Sequence, residues 1–375
     1  MKITQILFGS AAALASLSGA HAADAVVAVA PATVEYVRVC DAYGSGYFYI
    51  PGTETCLKIN GYVRFQANAG PNAVTSNSST SGTSDWDSIT RGQLQLTAKS
   101  DTEHGPLTGI VVLQTNADNA SGQIVKLDAA YIDIANVRAG LFYSWWDNDL
   151  SGEADDIKSK VTLHNSVRYQ YESNNFYAGV SVDELEDGYY NAGGDPNNVG
   201  FAFGIGGKAG ALSYQITGGY DIESGEGAVR AMSNVEIGPG SLGLAGVYST
   251  APNSYYQAAK WIAAIQYAIS ANDKLKVTPG FQYYGNYGIV VGDFSDINDA
   301  WRYGVTLDYQ LADNSYVKAA VNHLHQDRGR DVTTGFFRLQ RAFCRLTKTP
   351  CSAAAGRSQE LSGKKLDLRT VRLRG

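Results

Sequence analysis

Only two methionines and nine prolines occur among the 375 residues, and after Leu17 no charge-free apolar stretch reaches the roughly 20 residues that a membrane-crossing helix needs. No apolar heptad repeats, which argues against a helical bundle. No Pro-rich or Ser-rich linker interrupts the patterned part of the chain, so it is read as one domain. The four cysteines form no Cys-x-x-Cys, which leaves neither a zinc site nor a thioredoxin-like motif. No Gly-x-Ser-x-Gly is present, so a hydrolase nucleophile is missing. The run at Gly204, Gly206 and Gly207 lacks the spacing and the following helix of a phosphate loop and reads as close strand packing. His323 and His325 would share a strand face, but no third ligand accompanies them. The sequence therefore predicts no catalysis, no cofactor and no metal.

What is present begins with MKITQILFGSAAALASLSGAHA. A lone Lys2, a mostly apolar run from Ile3 to Leu17 and the small-residue pattern Ala20, His21, Ala22 read as a secretory signal, residues 1–22, cleaved before Ala23. The exported chain would then have to cross any membrane with strands.

From Leu57 to Phe343 about ten residues of alternating apolar and polar side chains are followed by a turn, again and again. LKINGYVRFQ sets Leu57, Ile59, Gly61, Val63 and Phe65 against Lys58, Asn60, Tyr62, Arg64 and Gln66. VRYQYE sets Val167, Tyr169 and Tyr171 against Arg168, Gln170 and Glu172, and WRYGVTLDYQ sets Trp301, Tyr303, Val305 and Leu307 against Arg302 and Asp308. A period of two gives each strand one greased and one wet face. Charge on a lipid-facing position at mid-depth costs about 2–4 kcal/mol, so the arginines and lysines must take the inner face. Gly 41, Tyr 24 and a negative mean hydropathy suit strands that are only half apolar.

Seven short turns, at 100–106, 135–136, 173–175, 208–211, 238–241, 270–273 and 312–315, alternate with eight longer loops at 67–90, 115–123, 144–165, 184–200, 222–227, 250–258, 285–300 and 324–332. Fifteen connections join sixteen strands. An even number of antiparallel strands with short turns on one side and long loops on the other describes an all-β transmembrane barrel of the bacterial outer membrane, wide enough for a water-filled lumen. The alternation is least marked at 124–137 and 201–207. Tyr189, Tyr190, Tyr255, Tyr256, Tyr283, Tyr284 and Trp301 fall near strand ends and read as aromatic belts, with a sugar-stacking platform as the alternative.

The segment VEYVRVCDAYGSGYFYIPGTETCLKINGYVRFQ, residues 34–66, resembles the opening of the alphaproteobacterial general-porin family, and TTGFFRLQRAF resembles that family's closing strand with its terminal Phe. The resemblance implies a homotrimeric outer-membrane porin, embedded in outer-membrane lipid and passing small hydrophilic solutes and ions, with no nucleic-acid partner. It also implies that the third long loop folds inward to narrow the channel. That loop, SWWDNDLSGEADDIKSKVTLHN, carries Asp147, Asp149, Glu153, Asp155 and Asp156. These acids are expected to face Arg64, Arg168, Arg302 and Arg338 across the lumen; solvation of an exposed loop is the plainer reading of the same residues. A barrel that displays adhesive loops, or a sugar-specific porin, is the alternative function.

Two features lie outside the barrel pattern. Cys40 and Cys56 enclose fifteen residues in the lead-in segment 23–56, so a bridge would staple a small loop after export, with two buried free thiols as the other reading. Residues 344–375 have no alternation and carry eight basic residues. They read either as a basic interaction arm or as translation past a lost stop or a shifted frame, and they mask an acidic barrel. Residues 23–343 hold 21 basic against 34 acidic residues, a net charge of −13.

Overall fold

A computed structural model describes residues 37–71, 86–117, 123–185 and 198–343. The expected signal peptide, the tail 344–375, and Tyr189 and Tyr190 lie outside the described residues. Every strand falls within the unit Val39–Gly375.

Sixteen strands build the wall. The first eight are β1 (Cys56–Ala69), β2 (Trp86–Thr102), β3 (Gly105–Ala117), β4 (Val125–Ile134), β5 (Val137–Tyr143), β6 (Leu163–Glu172), β7 (Phe176–Glu184) and β8 (Val199–Ala209). The second eight are β9 (Leu212–Asp221), β10 (Glu226–Ile237), β11 (Gly240–Ser249), β12 (Ala259–Ser270), β13 (Leu275–Tyr287), β14 (Ala300–Ala312), β15 (Ser315–Gln326) and β16 (Val332–Ala342). Each pairs antiparallel with the next, and β16 returns to β1 through Gly335↔Ala69 to Ala342↔Tyr62. Phe343 N extends that seam by donating to Gly61 O at 2.8 Å. Closure leaves no sheet edge, the condition for putting strands in lipid.

The period of two sorts the side chains as the sequence predicts. Ile59, Val63, Phe65, Leu94, Val167, Tyr169, Leu244, Ile265 and Leu307 are exposed on the outer face, where lipid covers them. Gln93, Gln95, Thr97, Gln215, Gln266, Gln282 and Gln340 are buried on the inner face. The least patterned stretches also form strands, β4, β5 and β8. Two connections differ from expectation. β1 and β2 continue to pair as far as Ala69↔Trp86, because ladder hydrogen bonds need no apolar alternation once the hairpin rises beyond the bilayer. The connection expected as a long loop at 222–227 is a tight turn after Asp221, closed by Gly225 N donating to Asp221 O at 3.0 Å with Gly225 at φ 70°. The turn at Ala135 and Asn136 takes positive φ at both residues, 45° and 70°, the geometry whose twist matches two flanking strands.

Ahead of β1 a single 3-10 turn, Asp41–Tyr43, and the short strand Phe48–Tyr49 form a compact lead-in. Cys40 and Cys56 are bonded, with Cα atoms 5.9 Å apart. Tyr43 donates to the Asp101 carboxylate at 2.6 Å, and Lys58 and Lys99 lie 5.4 and 5.6 Å from the rings of Tyr47 and Tyr43. The bridge and these cation–π contacts tie the lead-in to β1 and β2.

A charge placed on the outer face tests the assignment of faces. Leu244→Arg, in the middle of β11, is expected to cost about 2–4 kcal/mol in reversible urea unfolding from liposomes.

Candidate functional site

Between β5 and β6 the chain does not go outward. Ser144 N donates to Thr162 O at 2.7 Å, closing the base of a loop whose first residues, Trp145–Asp147, make one 3-10 turn. From there the loop runs inside the barrel. Gly152 N donates to Gln266 of β12 at 2.6 Å and Glu153 N to Thr306 of β14 at 2.9 Å. On β15, Lys318 reaches the Glu153 carboxylate at 2.8 Å and Asn322 its carbonyl at 2.9 Å. On the way back Asp156 N donates to Gln282 of β13 at 2.9 Å.

The residue that holds this path is Arg230 of β10, which lies fully buried on the inner face. Its Nη1 donates to the carbonyls of Trp146, Asn148 and Ile157 at 3.1, 3.0 and 2.9 Å, and its Nη2 to Trp145 O at 2.6 Å and to Gln215 at 3.2 Å. Backbone carbonyls thus replace the water that the guanidinium gives up. The sequence reading passed over Arg230 because it looked for arginines opposite carboxylates. Alternation alone puts Arg230 on the inner face, between Ala228 and Met232.

Aromatic rings fill the space between loop and wall. Trp145, Trp146, Tyr255, Tyr256 and Tyr284 are all buried in one cluster with Ile157 and Leu185. The wall makes room with glycine: a Cβ on Gly204 would lie 2.5 Å from the Trp145 ring and one on Gly219 would lie 2.3 Å from Tyr255. The sequence suggests close strand packing at Gly204, but its close neighbour is the Trp145 ring of the loop. Tyr255, Tyr256 and Tyr284 do not belong to an aromatic belt; they face inward, where Tyr256 donates to Asp156 O at 2.9 Å. Trp261, Tyr283 and Trp301 keep the outward position.

The expected acids and arginines divide into two groups. Asp147, Asp149, Glu153, Arg64 and Arg338 line one cavity of about 1280 Å³, together with Arg91, Lys158 and Lys318, which were not singled out from sequence. The loop lines part of this cavity, and the wall residues around it include Arg338 of β16, Arg64 of β1, Arg91 of β2 and Gln114 of β3 as well as residues of β9 to β15. Asp155, Asp156, Arg168 and Arg302 do not line it. Asp155 accepts from Gln266 at 2.7 Å, and Arg302 donates to Asp155 O at 3.2 Å, so both lock the loop to the wall. Arg168 lies 3.8 Å from the Trp145 ring centre and donates to Tyr143 O at 3.2 Å, beneath the base of the loop. Contact with the loop separates the groups, and a period of two carries no information about which inner residues the loop will cover.

Burial acts on three of the loop's carboxylates. It pushes Asp147 up to about 6 against the opposing pull of Lys158, and it raises Asp155 and Asp156 as well. Lys158 pairs with Asp149 at 2.6 Å, and Lys318 stands between Glu153 and Asp308 at 2.8 and 3.5 Å. Among the described residues no group of three or more potential metal ligands is assembled; His323 and His325 instead meet Asp331 at 3.7 and 2.8 Å.

Comparison with known proteins agrees with the barrel fold. A family model described as the porin subfamily matches residues 24–342. The chain is 58% identical over 352 residues to outer membrane protein IIIA of Rhizobium leguminosarum bv. viciae, covering 90% of this chain and 93% of that protein. It is 36% identical over 292 residues to porin Omp2b of Brucella canis, covering 70% and 78% respectively. The outer membrane channel DcaP of Acinetobacter baumannii shares the fold at TM-score 0.61 and 12% identity, over 79% of this chain and 99% of that one.

Removing the central anchor should release the loop. Arg230→Ala leaves four carbonyls without their donor, at about 1–3 kcal/mol for each that water does not reach. The expected result is a barrel that keeps its heat-modifiable gel mobility but is cleaved between Trp145 and Thr162 by protease concentrations that leave the parent intact.

Proposed function

The chain belongs to the porin subfamily of outer-membrane proteins, and from that membership we propose that it forms a water-filled channel for passive diffusion of small hydrophilic solutes and ions, narrowed by the loop 144–162. The observation that carries the proposal is the cavity beside the loop, whose lining extends to Lys274 and Asn314 in the short turns and includes acids of the loop and arginines of the wall. Acids on the loop and arginines on the facing wall set up a field across the path of a solute. Such a field orients polar molecules and penalises apolar ones that cannot offset the lost water. Because Asp147, Asp149 and Glu153 of the loop and Arg64 and Arg338 of the wall line the same cavity, these residues are the proposed narrowest ring. OmpT of Vibrio cholerae, a structural relative at TM-score 0.56 and 13% identity, has been described in a trimer form, and a homotrimer is the proposed assembly here.

The test is planar-bilayer recording on the full chain purified from outer membranes. Discrete, long-lived conductance steps are expected. A folded barrel without conductance would overturn the proposal and favour a display role for the outer loops.

Acidity provides a second check. Asp147 titrates near 6 because burial raises it, so between pH 7 and pH 5 the lumen loses one negative charge. Cation preference, read as the reversal potential in a KCl gradient, should fall across that window, and Asp147→Asn should flatten the step. The sign for stability follows from the same shift: the folded protein holds the proton more tightly than the unfolded chain, so acidification through 6 stabilises the loop.

A further inference from the structure

The charged side chains that line the cavity are not equally compensated. Lys158, Lys276 and Lys318 each reach a carboxylate. Arg64, Arg91 and Arg338 reach none: among the described residues no ion pair involves any of them. What each has instead is a neutral amide on the neighbouring strand. Arg64 Nε donates to Gln340 at 2.7 Å, Arg91 Nε to Asn116 at 2.8 Å and Arg338 Nε to Gln66 at 2.7 Å. In each case the amide is the direct cross-strand partner in the ladder. The three guanidinium planes are thereby fixed through Nε, while no terminal nitrogen of the three has a partner among the described residues.

Their placement adds to the charge density. Arg64 stands directly opposite Arg91 in the β1–β2 register, and Arg338, opposite Gln66, is the diagonal neighbour of Arg64 across the β16–β1 seam. Cβ atoms of directly opposed residues are about 4.5–5.5 Å apart, and like charges so placed are destabilising. The ring of Tyr62 lies 4.8 Å from the Arg64 guanidinium and that of Phe336 lies 4.7 Å from Arg338, which holds both stems in place without neutralising them. Three pre-oriented forks that line one cavity, none in a direct ion pair among the described residues, match the geometry of an oxyanion, whose oxygens accept pairs of N–H donors.

We infer that Arg64, Arg91 and Arg338 form a saturable oxyanion site in the lumen, taking the carboxylate or phosphate group of a small permeating solute. The inference rests on the open-lumen channel proposed for this protein. It differs from a general field in that occupancy has a half-saturation point and depends on these three forks rather than on total charge.

The test uses the full chain from outer membranes, with inorganic phosphate replacing chloride at a constant ionic strength of about 0.1 M, where the Debye length is about 10 Å. Single-channel current should fall with phosphate and level off. Arg91→Gln and Arg64→Gln should each raise the half-blocking concentration at least about tenfold, the loss of one charge-assisted contact. Arg91→Lys, which keeps charge but loses the fork, should stay well above the parent value. Lys274→Gln removes one charge from the turn at the end of the same cavity and should shift it less than about twofold, since exposed charges more than a Debye length apart are largely screened. Citrate in place of phosphate tests the carboxylate form of the same chemistry. Open channels with a strictly linear phosphate response, or an equal shift from Lys274→Gln, overturn the site and leave the channel standing. Should no channel open, ³¹P line broadening in detergent still decides: broadening by the parent but not by Arg91→Gln supports the site, and equal lines from both overturn it. Variants are compared only where heat-modifiable mobility shows a folded barrel.

Discussion

Arg230 is the interaction on which the interior depends. A guanidinium stripped of water is costly unless its donors are met, and here the loop's own carbonyls meet those of both terminal nitrogens. The bargain is mutual, because those carbonyls belong to a segment with little regular structure and would otherwise face the lumen. One side chain therefore fixes the start of the loop at Trp145 and its return at Ile157. Everything further along follows, including the reach of Glu153 to Lys318 on β15 and the docking of Asp156 on β13.

The loop's position in turn decides what the lumen is. Its aromatic side packs against β7–β13, where glycines at 204 and 219 leave the space. Its acidic side is left lining the cavity. Charges on the packed side are satisfied by backbone groups and amides, as with Arg168, Arg302 and Asp155. Charges on the open side divide between lysines that pair with carboxylates and arginines that lean on neutral amides. A barrel with a net charge of −13 over residues 23–343 thus gathers along one cavity three arginines with no direct ion pair among the described residues.

Two solvents explain the economy of the wall. Lipid requires the outer side chains to be apolar and the backbone to be fully paired, and water permits almost any polar group within. Val167 and Arg168 are neighbours in sequence with opposite surroundings, and only the pleat separates them. The lead-in loop follows a different rule: a disulfide and a few aromatic contacts with Lys58 and Lys99 do the work that a core would do in a larger unit.

Much of this was legible in the chain itself. Strand number, most of the short and long connections, the face of most strand residues and the acidic character of the third loop follow from period and composition, because each is a local property of a few consecutive residues. The Cys40–Cys56 bridge was one of two readings, and the structure selected it. What tertiary structure alone decided is register and path. Whether Arg64 and Arg91 stand side by side depends on the register of two strands, and whether Arg302 faces the cavity or clamps the loop depends on how far each strand is staggered around the barrel. The role of Arg230 arises from residues more than seventy positions away in sequence, brought to it by closure of the barrel.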